Sequence, residues 1–172
     1  LTLCTGSRDA EDQWRFHPEN ASAASWATLV ESMEGALLAA EEFDLELGIE
    51  PELANVVSSA ELARRLIEEM RSPRLRVVLD AANLFEVESL RRQREIVAAG
   101  VELLADRIAL AHAKDRTPEG QFTTAGRGVL DYAHYLACLQ QAGFEGVLVT
   151  HGLSADEAPG VAGFLSRHLR SR

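Results

Sequence analysis

Short apolar segments recur along this chain with longer, differently patterned stretches between them, and that rhythm limits the fold more than any other feature. The segments are LTLCTG (1–6), LELGIEP (45–51), LRVVLDAA (75–82), RIALAHAK (107–114) and GVLVTHG (146–152). Leu, Val, Ile and Ala dominate them without clean alternation, as in strands of a parallel sheet buried on both faces. The stretches between them read as helices. Over 25–43 the apolar residues Trp26, Leu29, Val30, Met33, Leu37 and Ala40 fall on one helical face. Ser58-Ser59-Ala60-Glu61 and Ser154-Ala155-Asp156-Glu157 read as capping boxes that open two more helices. Helical patterns over 86–104 and 130–142, the latter stopped by Gly143, complete the set. Strand and helix therefore alternate, and the fold class is α/β, built from consecutive βαβ units.

An open doubly wound sheet and a (β/α)8 barrel both follow that rhythm. The open sheet usually carries a glycine-rich turn after its first strand, but TGSRDAEDQW has one glycine and no GxGxxG, which excludes a dinucleotide site of that kind. Five strands cannot close a barrel, and a whole one takes about 250 residues. The expectation is a single domain over residues 1–172, a partial TIM barrel comprising its last five units and lacking the first ones. The chain opens directly in a strand, without an initiator methionine.

Composition narrows the partners. A net charge of -10 with no basic stretch to offset it argues against nucleic acid. Two cysteines, Cys4 and Cys138, are too few for a disulfide framework and suit a reducing compartment. No apolar run approaches the roughly 20 residues of a membrane span, and no targeting segment leads the chain. Asn20-Ala21-Ser22 matches a glycosylation acceptor, but nothing else points to secretion. The chain reads as soluble and cytoplasmic.

The residues that carry chemistry stand at the strand ends. Glu50, Asp80, His112 and His151 close the second to fifth strands, at separations of 30, 32 and 39 residues. In parallel α/β sheets and barrels all such ends open on one face, where ligands bind. Carboxylate and imidazole together suit Mn, Co, Fe or Zn, with Mg an option where oxygen dominates. For any one of the four, the alternative is a turn cap or a satisfied core polar group, and Asp80 in RVVLDAANLF poses that choice most sharply. Four such coincidences on one rim favour a shared site whose side-chain ends converge.

The ordered set GIEPE, VVLDAANLF, AHAKD and GVLVTHGL resembles the sugar phosphate isomerase/epimerase family, the xylose-isomerase-like TIM barrels. The early loop CTGSRDAEDQWRFHPEN is similar to one branch of it, and the resemblance spans essentially the whole chain. It implies that the five strands are the fourth to eighth of the barrel. It also implies a metal held by Glu, Asp, His and Glu, which places Glu50, Asp80 and His112 in the first three positions. His151 departs from the fourth, and Asn83 stands where many of these epimerases carry a histidine. In the family the two glutamates are also the acid–base pair, so the His151 departure bears on catalysis more than on metal binding.

The chemistry so implied is a metal-dependent isomerisation or epimerisation of a sugar, sugar phosphate or related polyol ketone. A divalent cation polarises the carbonyl and acidifies the adjacent C–H, and an enediolate forms as a base removes the proton. Glu50 serves as ligand and base, and the imidazole of His151 is suited to the second proton transfer. Asn83, Lys114 and Asp115 are candidates for holding substrate hydroxyls, against the alternative of an exposed ion pair for the last two. Gly126, Arg127 and Gly128 precede a helix, where backbone N–H groups and an arginine can receive a phosphate or sugar oxygen, or form a plain turn. Trp14 and His17 either close over a sugar ring or anchor their loop, and Glu52 and Asn55 either fix a loop or touch substrate. His134 and His168 lie within helices and are assigned to surface or packing.

Three rivals remain open. The endonuclease branch of the same barrel needs more rim histidines and a basic groove, and this acidic chain offers neither. A non-catalytic sugar-binding or sensing domain would keep the pocket and lose turnover, which the His151 departure allows. A fragment inactive without further strands is the third. Five units leave two unpaired strand edges, so self-association or poor solubility is expected, with a homo-oligomer as one outcome.

Overall fold

The computed structural model describes residues 1–170. Its sheet contains β1 (Thr2–Cys4), β2 (Leu47–Glu50), β3 (Leu75–Asp80), β4 (Ile108–Arg116), β5 (Phe122–Thr124) and β6 (Val147–Thr150). Strands β1, β2, β3, β4 and β6 pair in that order and all in parallel, forming a curled half-barrel. Helices α1 (Ala23–Glu42), α2 (Ala60–Met70), α3 (Leu90–Leu104), α4 (Tyr132–Gln141) and α5 (Ala158–Arg170) alternate with them. The α/β class and the partial barrel expected from the apolar rhythm are therefore present.

The core lies between sheet and helices. Ile49, Leu75, Val77, Leu79 and Ala111 from the strands pack with Leu66, Ile67, Val97, Val101, Leu104, Tyr135 and Leu139 from the helices, all buried. On α1 the expected stripe is buried at Trp26, Leu29, Met33, Leu37 and Ala40, whereas Val30 is only half-buried. Local rules set the helix starts. The side chains of Ser22, Ser59, Ser89 and Asp131 accept hydrogen bonds from the backbone N–H three residues on, opening α1 to α4. Ser59 does this alone, so the expected box beginning at Ser58 is a simple cap. Ser154 and Glu157 do pair, with the Glu157 carboxylate accepting from the Ser154 N–H at 2.9 Å and its hydroxyl at 3.1 Å. Gly143, at φ +72°, ends the α4 turn as expected, because a side chain there would be strained.

The sequence reading missed one element. The fourth strand does not stop at Lys114 but runs to Arg116 and doubles back into β5, with Lys114 opposite Thr124 and Arg116 opposite Phe122. KDRTPEGQF looks like a loop because it is polar. What makes it a hairpin is tertiary: the Phe122 ring lies under both cations, 3.7 Å from Lys114 Nζ and 4.1 Å from the Arg116 guanidinium carbon.

Among the described residues, β1 pairs only with β2 and β6 only with β4 and no other strand. Both outer edges of the parallel sheet are thus open, as expected, and Val147 on β6 is 64% exposed. No helix among the described residues is long and apolar enough to cross a membrane.

Asp131 gives a direct test of the packing between α3 and α4. Its Oδ1 caps α4 through the His134 N–H at 3.0 Å, and its Oδ2 accepts from Arg94 Nε at 2.8 Å. Burial raises its pKa, but the His134 N–H and Arg94 more than offset that and hold the carboxyl below its usual value. A depressed carboxyl contributes stability above its unfolded pKa and loses it as pH falls through the folded one. Asp131→Ala should cost about 1 kcal/mol near neutral pH, with the deficit shrinking as the pH is lowered below the ordinary carboxylate range. Urea unfolding across pH measures both; a deficit that does not change with pH would remove the ionic part of this account.

Candidate metal centre

The C-terminal ends of the parallel strands deliver one polar side chain each to a common rim. Glu50 closes β2, Asp80 closes β3, His112 lies within β4 and His151 follows β6. Parallel pairing sets Asp80 level with His112 and His112 level with Val149, so His151 lies two residues further along. One potential ligand atom from each of the four lies within 4.8 Å of the others. The expected convergence is therefore found.

Hydrogen bonds orient the members. Glu50 Oε1 accepts from Asn83 Nδ2 at 2.9 Å and lies 3.1 Å from His112 Nδ1. The His112 and His151 rings pack at 4.4 Å between centroids. Asp80 resolves the choice its sequence context posed by doing two things at once. Its Oδ1 accepts the Ala82 N–H at 2.9 Å, capping the 3-10 turn of Ala81–Asn83. Its Oδ2 faces the cluster, 3.4 Å from Lys114 Nζ, 3.5 Å from His151 Nε2 and 4.0 Å from His112 Nδ1. Burial of Asp80 disfavours its charge, but His151, Lys114, the Ala82 N–H and His112 together outweigh that and hold the carboxyl below its usual value. Glu52 next to the site differs: burial pushes its carboxyl up, and Lys114 and Arg116 offset that only in part.

These residues fit a divalent cation. Ligand bonds of about 2.0–2.3 Å place opposite ligand atoms at most about 4.6 Å apart, so the cluster needs to close by only a few tenths of an ångström. Among the described residues, five buried side-chain polar atoms have no hydrogen-bond partner, and three of them, Asp80 Oδ2, His151 Nε2 and Asn83 Oδ1, belong to this cluster or its edge. Buried polar atoms are normally satisfied, so such a concentration marks a place built for a ligand. Two carboxylates and two imidazoles are a common donor set for Zn, Mn, Co or Fe.

The other expected site residues divide. Asn83 and Lys114 contact the cluster directly, as above. Asp115 does not: it is fully buried, and its carboxylate accepts the backbone N–H groups of Arg116, Gly126, Gly128 and Leu130 at 2.9–3.1 Å. It holds the 126–130 turn rather than a substrate hydroxyl. The same bonds favour the plain-turn reading over the phosphate one, because the Gly126 and Gly128 N–H groups are committed to Asp115. Gly128 is required there, since a Cβ would fall 2.1 Å from the Arg116 carbonyl oxygen. Arg127 is 65% exposed in its side chain and pairs with Glu157 at 2.8 Å. His17 caps the 3-10 turn of Pro18–Ala21 through Nδ1, and Trp14 is 55% exposed in the loop after β1.

That loop is fixed by two buried asparagines. Asn20 accepts the Arg8 N–H at 2.7 Å and donates to the Ala54 carbonyl at 2.7 Å. Asn55 accepts the Gly6 N–H at 3.0 Å and donates to the Gln13 carbonyl at 3.1 Å. Sequence reasoning left Asn55 open between loop and substrate, met Asn20 only as a match to a glycosylation acceptor, which its burial does not suit, and overlooked the buried tyrosines behind the site. Tyr132 donates to the Lys114 carbonyl at 2.9 Å and Tyr135 to the Leu79 carbonyl at 3.0 Å, clamping the ends of β4 and β3. A hydroxyl on the apolar face of α4 was the available signal.

Fold and site together define a partial TIM barrel with a candidate metal cluster on its C-terminal rim. A family model described as the xylose isomerase-like TIM barrel matches residues 1–171, and the chain belongs to that family. Solved structures agree on the fold. A xylose isomerase domain protein from Planctomyces limnophilus is 20% identical with a TM-score of 0.71, over 89% of this chain and 55% of that one. The 3-keto-D-glucoside 4-epimerase of E. coli is 15% identical with a TM-score of 0.69, over 98% and 62%. The IolI protein, solved with a bound zinc atom, is 20% identical with a TM-score of 0.61, over 80% and 53%. The chain thus spans somewhat more than half the length of these structures. No curated protein sequence matches it significantly.

Asp115 supplies the prediction for this region. Asp115→Ala takes the acceptor from four backbone N–H groups, three of them in the 126–130 turn, and should cost about 3 kcal/mol or more, since each buried unsatisfied group costs about 1–3. Urea denaturation measures it. A loss below about 1 kcal/mol would mean that the 126–130 turn is held by something else.

Proposed function

We propose that this chain carries the metal-binding rim of a sugar isomerase or epimerase, acting on a small polyhydroxylated carbonyl compound. The observation that supports the reading most strongly is the convergence of Glu50, Asp80, His112 and His151 with unpartnered buried atoms at its centre. The epimerase among the structural relatives supports the reaction class, and the zinc-bound relative supports the cofactor.

Glu50, Asp80, His112 and His151 are the residues that would hold the cation, which would supply Lewis-acid polarisation of a substrate carbonyl and its neighbouring hydroxyl. Glu50, oriented by Asn83 and His112, takes the proton from the carbon beside the carbonyl, giving an enediolate. His151 returns a proton, on the neighbouring atom for isomerisation or the opposite face for epimerisation. Asn83 and Lys114 bind substrate oxygens. Trp14, on a loop pinned by Asn20 and Asn55, packs on the ring. With the Gly126 and Gly128 N–H groups spent on Asp115, the reading rests on sugar oxygens rather than on a phosphate. A cytoplasmic location and a homo-oligomer belong to the same proposal, as does the assignment of the strands to the last five of a barrel.

A second reading is a sugar-binding domain without turnover. It is favoured by the imidazole of His151, which stands where a second acid–base carboxylate is expected. Elemental analysis of the purified protein, combined with solvent-deuterium uptake from a panel of ketoses, separates the two. Bound metal with exchange of a substrate C–H supports the enzyme; tight sugar binding without exchange turns the reading to the second.

Asp80→Asn isolates the metal ligand from the cap, because Asn and Asp cap about equally well. It should weaken divalent-metal binding at least tenfold, roughly the effect of losing one close opposite charge, while the melting temperature in chelator stays nearly unchanged. Calorimetric titration and thermal melts provide both numbers. Undiminished metal affinity would make Asp80 purely structural.

A further inference from the structure

Lys114 is the one side chain in the cluster that cannot be a metal ligand in its ammonium form, yet it reaches the same carboxylate oxygen. Its Nζ lies 3.4 Å from Asp80 Oδ2, and the two side chains are 11% and 0% exposed. Oδ2 is also the oxygen nearest His151 Nε2 and His112 Nδ1. The other oxygen, Oδ1, is turned to the Ala82 N–H, from which it accepts at 2.9 Å. A divalent cation held by the four ligands and the Lys114 ammonium therefore draw on the same oxygen, and two cations that close repel each other.

The same ammonium already rests on a second partner. Its Nζ sits 3.7 Å from the centre of the Phe122 ring, which is 47% exposed. Stacking on that ring can hold the ammonium without Asp80. The backbone beneath is fixed, since the Lys114 carbonyl accepts the Tyr132 hydroxyl and Lys114 pairs with Thr124 in the hairpin. The residue can thus shift only its side chain, away from the carboxylate along the aromatic face it already touches.

From this geometry we infer that Lys114 is a built-in competitor of the divalent cation, neutralising Asp80 until the metal arrives and then yielding Asp80 to it while staying on Phe122. The inference rests on the metal reading of the cluster and adds a consequence to it. The competition weakens metal binding while protecting the fold when metal is scarce, because a buried carboxylate without a counter-ion is costly. Once displaced, the ammonium stands beside the rim with its donors free, so that metal loading prepares the group that receives a substrate oxygen.

The test compares the wild-type protein with Lys114→Met, which keeps an unbranched side chain over Phe122 and removes the charge. Zn2+ and Mn2+ are titrated calorimetrically into chelator-stripped protein, and melting is followed with and without metal. Lys114→Met should bind metal about 10-fold or more tightly, the scale set by removing a charge within about 4–6 Å. It should also melt several degrees lower in chelator and recover when loaded, because Asp80 then has its cation. Lys114→Arg serves as the charge-preserving control and should bind metal no more tightly than wild type. Equal or weaker metal binding by Lys114→Met, or a chelator melting point unchanged from wild type, overturns the competition and leaves the metal centre standing. If neither the wild type nor Lys114→Met binds either ion, the metal reading falls and this inference falls with it.

Discussion

The structure depends on how the carboxylate of Asp80 is buried. Removing a charged group from water costs several kcal/mol unless partners replace the solvent. Here one backbone N–H, a lysine and two imidazoles surround the carboxylate, and Oδ2 is still left without a hydrogen bond. Oδ1 takes the Ala82 N–H and so turns the chain after β3. Oδ2 gathers Lys114, His151 and His112 from the two strands that follow in the sheet. The register of β3 against β4, which sets Asp80 level with His112, is what makes this gathering possible. A slip of one residue would turn the side chains of the strand to the other face and leave the charge unpaired.

Around that centre the rim is stiffened by polar side chains that point into the protein. Asn20 and Asn55 tie the loop after β1 to the loop after β2. Asp115 ties the end of β4 to the turn before α4, and Arg116 reaches the Ala82 and Gly120 carbonyls. Tyr132 and Tyr135 clamp β4 and β3 from behind. Backbone groups in such loops cannot all pair with one another, and each unpaired buried group carries a penalty. Supplying partners from buried side chains lets long connections stay irregular and still hold functional residues in place.

The half-barrel explains which faces are finished and which are not. Helices α1 to α4 cover the outside of the sheet and bury the aliphatic residues of β2, β3 and β4, so the core is continuous there. The outer strands lack that cover. β1 and β6 each have a partner on one side only among the described residues, and β6 is half-buried to exposed along its length. The cluster draws its members from the paired strands β2, β3 and β4 and, for His151, from the end of the less covered β6. This gradient is consistent with His151 being the most exposed of the four, at 39% of its side chain.

The sequence by itself determined the alternation of strand and helix and the set of four strand-end residues, because burial on both faces and fixed unit length leave a readable period. Glu50, Asp80, His112 and His151 were legible since each ends an apolar run with a charged or titratable group. Other parts only the tertiary structure decided. Asp115 and Lys114 sit next to each other in sequence and point to opposite uses, one to the backbone of a turn and one to the cluster, because strand neighbours face opposite sides. β5 was illegible because its stability comes from Phe122 meeting two cations across a hairpin rather than from its own composition. The same holds for Asn20, Gly126 and Gly128: their roles are bonds to residues between about ten and thirty-five positions away, visible only once the chain is folded. Periodicity reports burial, which is local; pairing of polar groups is settled by distance in space, which the sequence does not carry.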